Sequence, residues 1–390
     1  MALFGRGNAI PRTHIAMYVI EPKKRGKGGV WPWVLSFVVA FSAAWYLYSR
    51  QTAVIESVRG PLPTPTPTEI SAREYLALGD RLFAEGRFDD AQSAYTRATE
   101  LDPMLATAYA RWGRILTLRH AGDRAVAVAQ RAVELDAESA EYQAILCMAL
   151  DWNGQITGAM AAGLRAIQLD PGYAPGYAFL AEAYGDYGRI QDAVEMAQRA
   201  VELDDSDPFV RRNMGYINEL VGRYRDAIEE YKVALELNPN LAFIHSDIGR
   251  NYRVLGDGQQ ATHHFEQATL LDPGDPSAYV QLGWDYFVQG MHAMAAKEFE
   301  KAVQVDPENG TAYGYLGISY YVLRNYEGAI PLLEKAFSLG VRSEEVFYTL
   351  GFCYAYTRQC DMAVPWFEQA LEMNEASTIA RQGLDYCSQE

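Results

Sequence analysis

Histidine and cysteine are scarce in this 390-residue chain, six of the first and four of the second, and much chemistry is excluded with them. No Cys-x-x-Cys pair occurs, which removes the common zinc spacings, and four cysteines are too few for a disulfide scaffold. Cys147 reads as a small buried hydrophobe. Cys353, Cys360 and Cys387 gather near the C-terminus, where spacing alone leaves a single disulfide among them undecided. His263 and His264 are neighbours rather than the i, i+4 pair a helical metal site needs, so they read as a solvated helix face, and His245 as a packing residue. No phosphate loop, nucleophile elbow or dinucleotide fingerprint is present, so neither cofactor, metal nor catalysis is expected. Basic charge is short as well. Thirty-four Lys and Arg face 50 Asp and Glu, a net −16 that repels phosphate and excludes nucleic acid as a partner.

What is present divides into unlike regions. Apolar residues at 49% and charged residues at 22% are ordinary for a folded chain. Residues 1–29 hold six bases (Arg6, Arg12, Lys23, Lys24, Arg25, Lys27) against one acid, Glu21. From Val30 to Tyr48 no charge occurs, a run of about 28 Å as helix, with Trp31, Trp33, Trp45, Tyr46 and Tyr48 at its ends. The expectation is a transmembrane helix over 30–49, favoured over a signal peptide cleaved near Ser42-Ala43-Ala44 because the apolar run continues past that point. The basic arm would then be cytoplasmic and the rest of the chain outside a membrane, in all expectation a bacterial one. Residues 50–70 centre on alternating proline from Pro61 to Thr68, which predicts an extended Pro/Thr-rich linker of roughly 25 Å.

From Ala72 the sequence repeats every 34 residues, nine times, without insertion. Units begin at Ala72, Ala106, Ala140, Ala174, Pro208, Ala242, Pro276, Gly310 and Glu344. Position 20 is alanine in every unit, from Ala91 to Ala363, and so is position 27, from Ala98 to Ala370. Each unit holds two amphipathic segments at helical spacing. Small residues at positions 8, 20 and 27 permit close helix approach, and larger ones at 4, 7, 11 and 24 fill the gaps. A glycine near position 15 (Gly86, Gly188, Gly222, Gly256, Gly290) ends the first helix, where φ must turn positive. Proline at position 32 (Pro103, Pro171, Pro239, Pro273, Pro307) follows the second, because it cannot continue a helix.

This pattern resembles the tetratricopeptide repeat family and covers residues 72–377. The resemblance implies an all-α, right-handed superhelical solenoid of nine helix-turn-helix repeats, and with the span before it a membrane-anchored tetratricopeptide repeat protein. Departures are local: Gln143 stands where an aromatic is usual, and Gly163 occupies position 24 of the third unit. Residues 378–390 are expected to form a capping helix, since the last repeat would otherwise expose an apolar face.

In this family the first helices line a concave groove, with positions 2, 5, 9, 12 and 13 facing ligand. Carried over residue by residue, the middle units offer a basic spot of Arg212, Tyr216, Arg250 and Arg253. The C-terminal units offer aromatics: Trp284, Phe287 and Tyr321, then Tyr348, Phe352 and Tyr356. Aromatics beside cations suit a protein-binding surface. The carboxylate clamp of the chaperone-binding members is absent, because Arg212 and Tyr216 are followed by Asp247, Ser277 and Gln281 rather than by its Asn, Lys and Arg. The expected function is a membrane-tethered interaction scaffold that holds a peptide or protein in this groove. The alternative is a permanent structural or assembly subunit of a multi-protein membrane complex.

Overall fold

A computed structural model of the chain describes residues 31–58 and 70–389. The basic arm expected over 1–29 and most of the Pro/Thr-rich linker, residues 59–69, lie outside the described residues. The chain divides into two compact units, one up to Glu69 and one from Ile70 onward.

The first unit contributes one helix, α1 (Trp31–Val58), of 28 residues. It overturns the expected transmembrane segment: among the described residues, no helix is long and apolar enough to cross a membrane. The reason lies in its composition. Its uncharged run from Trp33 to Tyr48 is only partly aliphatic. Within it Ser36, Ser42, Trp45, Tyr46 and Tyr48 dilute the aliphatic residues, and the helix runs on without a break through Arg50 and Gln51. The single-pass localisation and the inside–outside assignment fall with the span, and a membrane tether is not shown.

The second unit is entirely helical among its described residues. Its helices form successive antiparallel pairs: α2 (Ala72–Ala84) with α3 (Phe88–Leu101), α4 (Ala106–Leu118) with α5 (Gly122–Leu135), and α6 (Ala140–Trp152) with α7 (Ile156–Leu169). Next come α8 (Ala174–Asp186) with α9 (Ile190–Leu203), α10 (Pro208–Leu220) with α11 (Tyr224–Leu237), and α12 (Ala242–Val254) with α13 (Gly258–Leu271). The array ends with α14 (Pro276–Val288) and α15 (His292–Val305), α16 (Gly310–Val322) and α17 (Tyr326–Ser338), then α18 (Glu344–Tyr356) and α19 (Cys360–Met373). A final helix, α20 (Thr378–Ser388), packs on α18 and α19.

Local signals set these boundaries. Ser71 and Glu74 form a reciprocal capping box at the start of α2, and Asp207 and Asp275 cap helices whose first residues are Pro208 and Pro276. Position 15 adopts positive φ in every unit: Gly86, Gly154, Gly188, Gly222, Gly256 and Gly290 do so, and so do His120, Arg324 and Arg358. The turn is thus demanded by the repeat and is imposed even where the residue has a Cβ.

Successive first helices touch one another as well as their own partners, whereas successive second helices do not approach comparably. First helices therefore line the inner side of the curve. Their approach is closest from α4 through α6 and α8 to α10. Position 24 explains why: it is Tyr95, Tyr231, Phe265, Phe299, Leu333 or Phe367 elsewhere, but Ala129, Gly163 and Ala197 in units 2 to 4. A Cβ on Gly163 would sit 3.0 Å from that of Leu180, so the glycine is what lets α8 pack so closely.

The tight bend brings unit 1 back onto units 5 and 6. Asn240 Nδ2 donates to the Ala84 carbonyl at 2.9 Å. Arg119 bridges Asp89 at 2.8 Å and Asp272 at 2.7 Å. Phe83 and Phe209 stack with ring centres 6.4 Å apart. The first six units thus close on themselves.

Candidate functional site

Two inner surfaces carry the sequence-derived candidates. The first lies on α10 and α12. Arg212 is buried between Glu182 of α8 at 2.5 Å and Asp247 of α12 at 3.1 Å, with its guanidinium over the rings of Trp152 and Tyr216. Burial alone would lower the Arg212 pKa, but the two carboxylates outweigh it and hold the group well above its ordinary value. Arg250 pairs with Asp247 at 2.8 Å and faces Glu219 at 3.9 Å. Arg253 reaches Gln281 at 3.3 Å and lies over Phe265. The Tyr216 hydroxyl donates to Asp186.

The basic spot is therefore largely neutralised, and Arg212 is not a surface residue. Sequence reading missed Glu182 and Glu219, and took Asp247 only as a departure from the clamp. Glu182 and Glu219 carried a signal, at inner positions 9 and 12 of their units, whereas Asp247 lies at position 6, outside that set. A cavity of about 350 Å³ adjoins this network, lined by Trp152, Arg212, Phe243, Asp247, Arg250 and Asp275 among others, with His120 stacked on Trp152 at 5.3 Å. Close by, Asp151 is buried with neither carboxyl oxygen hydrogen-bonded. Burial first, then Glu182 and Asp186, push its pKa up to about 9.

The second surface runs over α14, α16 and α18. Trp284 stacks on Phe287 at 5.6 Å and meets Tyr315 at 5.0 Å. Phe287 joins this group to the next, packing against both clusters. Tyr321 and Tyr356 stack at 6.4 Å, and Tyr348 is half-buried against the same hydrophobic cluster. Phe352 differs. It is 9% exposed, wedged against Phe367 at 5.0 Å and Tyr356 at 5.6 Å, and so belongs to the core rather than to the surface. Tyr356 at 41% exposure is the most open of the tract, and α20 borders it through Tyr386, 5.7 Å away.

The histidine expectation also needs correction. His263 is exposed, but His264 turns inward to place its Nδ1 3.0 Å from that of His245, with Tyr252 stacked on its ring. Burial is the first cause that pushes both down to about 4, so both are neutral near pH 7. Among the described residues, no group of His, Cys, Asp and Glu could hold a metal ion. Cys360 and Cys387 form a disulfide, while Cys147 and Cys353 are buried and free.

Comparison with known proteins agrees with the geometry. Two family models, both described as tetratricopeptide repeat, match residues 76–140, 180–242 and 280–338, and residues 344–377. No curated protein matches the sequence. Among solved structures, a chain of the APC/C hetero-tetramer Cut9–Hcn1 is similar with a TM-score of 0.55 at 16% identity, over 88% of this chain and 81% of that one. The human IFIT1 dimer with PPP-AAAA is similar with a TM-score of 0.52 at 15% identity, over 88% of this chain and 82% of that one. At such identities the likeness bears on the fold alone.

Proposed function

The chain belongs to the tetratricopeptide repeat family, and from that premise we propose that it is a protein-interaction scaffold that works by binding rather than by catalysis. Its partner is a protein or peptide seated on the aromatic tract of units 7 to 9. The supporting observation is the run of Trp284, Phe287, Tyr321, Tyr348 and Tyr356 along consecutive inner helices, none of them fully buried. Packing accounts for Phe352, but it does not require Tyr356 to stand open to solvent beside four other rings. Half-exposed aromatics bury large area at small entropic cost when a partner arrives, which is why they dominate binding energetics. The neutralised arginines of α10 and α12 contribute less, since their charge is already matched within the fold.

A photo-activatable side chain placed at position 356 should cross-link a partner in the native cell, and one at the exposed convex position 263 should not. Replacing Tyr348 and Tyr356 together by alanine should abolish that partner's co-purification while the thermal midpoint changes by only a few degrees. Full retention of the partner by the double variant would overturn the assignment.

A further inference from the structure

The first helices of units 5 to 9 end on exposed apolar residues: Leu220, Val254, Val288, Val322 and Tyr356 close α10, α12, α14, α16 and α18. Leu255 and Leu323, one residue further on in units 6 and 8, widen the row, and all of these side chains are between 39% and 59% exposed. The repeat does not require an apolar row here. In units 1 to 4 the same position holds exposed Ala84, buried Leu118, half-buried Trp152 and exposed Asp186.

The row has the area of an interface. At these exposures it presents roughly 600 Å² of apolar surface, and homodimer interfaces are about two-thirds apolar, which makes about 900 Å² for each chain, the size of a standard contact. It also has the order of a surface that meets itself. A twofold contact sets each unit against the one counted from the opposite end, and only the middle unit against its own copy. Around unit 7 the row reads alike in both directions, with Val254-Leu255 before it and Val322-Leu323 after it. Charge follows the same order. From Val288 to Met294 unit 7 has no Asp, Glu, Lys or Arg, whereas the corresponding stretches of units 5, 6, 8 and 9 all do. Unit 6 carries exposed Asp257, and unit 8 carries exposed Arg324 and Glu327. Unit 5 sets Arg223, Arg225 and Asp226 against Arg358 and Asp361 of unit 9.

We propose that two copies of the chain pair through this row, antiparallel, with Val288 on the twofold axis. Pairing brings Asp257 of one copy toward Arg324 of the other, once on each side of the axis, and opposite charges of units 5 and 9 together at the ends. The middle unit, where any charge would face its like, is the uncharged one, as self-complementarity demands. A lipid surface or an unrelated protein would favour neither the palindromic order nor the neutral centre. Only Tyr356 is shared with the aromatic tract, so the two surfaces are separable and either assignment can fail without the other.

In sedimentation equilibrium the full chain should reach twice its 43.5 kDa mass and dissociate on dilution. Val288→Glu and Val288→Lys each put like charges on the axis and should weaken pairing by roughly a hundredfold or more, whereas an equal mixture of the two should pair again. Single cysteines report the register apart from any association through α1. Under mild oxidation Val288→Cys should cross-link to its own copy and Val254→Cys alone should not, but Val254→Cys mixed with Val322→Cys should. If the charged variants misfold, the cysteine variants still decide. A native chain that stays monomeric overturns the proposal, and its flotation with lipid vesicles would give the row a different occupant. Absence of the 288 cross-link, or one no stronger than that of Val254→Cys alone, overturns it as well.

Discussion

At the scale of single residues, repeat position tells which side chains face inward but not what they meet there. Arg212 and Phe352 share the inner helices with Tyr356, yet the first is sandwiched by carboxylates and the second is in the core. The histidines show the same thing with a measurable consequence. His245 and His264 are pushed down to about 4 in the fold, whereas an unfolded histidine titrates near 6.5. The unfolded chain therefore binds more protons between those values, and stability is lost as pH falls from 6.5 toward 4. The raised carboxyls Asp151 and Asp272 work in the opposite sense, so the histidine contribution must be isolated by difference. The urea midpoint of the native chain relative to His264→Gln should fall between pH 7 and pH 4.5. A pH-independent difference would show that the pair stays solvated.

At the scale of elements, small residues decide curvature. The third unit looks like the weakest match to the family, with Gln143 and Gly163, but these departures belong to the most closely packed region. The glycine that appears as a defect in one repeat is the contact surface for the next. The other element of consequence is α20. It covers the last repeat, and the Cys360–Cys387 disulfide ties it to the start of α19 across 27 residues. Closing a loop of that length is worth about 3–4 kcal/mol in the chain-entropy account. Cys387→Ser, or reduction of the native chain, should raise amide exchange throughout α20 and around Tyr356 while leaving units 2 to 5 protected. Unchanged exchange in α20 would mean that packing against α18 and α19 suffices without the bond.

At the scale of the whole array, closure between unit 1 and units 5 and 6 sets what can enter. Arg119 holds the junction, with its side chain 12% exposed and that of Asp272 10% exposed. Burial pushes Asp272 up to about 6 while Arg119 pulls the other way, so the aspartate depends on its partner. Arg119→Ala should cost about 3 kcal/mol, because the remaining carboxylate is left uncompensated. It should also increase the radius of gyration of the 70–390 array in small-angle scattering. An unchanged radius would assign closure to the Phe83–Phe209 stack and the Asn240 hydrogen bond instead.

The 34-residue period, the helix pairs that begin at Ala72 and its eight counterparts, and the turn at position 15 were all written in local order. Apolar spacing, caps and a positive-φ requirement act within a few residues, so they can be read without coordinates. Composition misled at 30–49, where an uncharged run reads as a span although, among the described residues, no helix is long and apolar enough to cross a membrane. Only the tertiary structure decided that Arg119 meets Asp272 across 153 residues, or that Asn240 meets Ala84 across 156. The same holds for the carboxylates around Arg212. Such contacts depend on the rotation from each unit to the next, summed over several units. A small change of packing at each interface accumulates along the array, and no single stretch of sequence contains the sum.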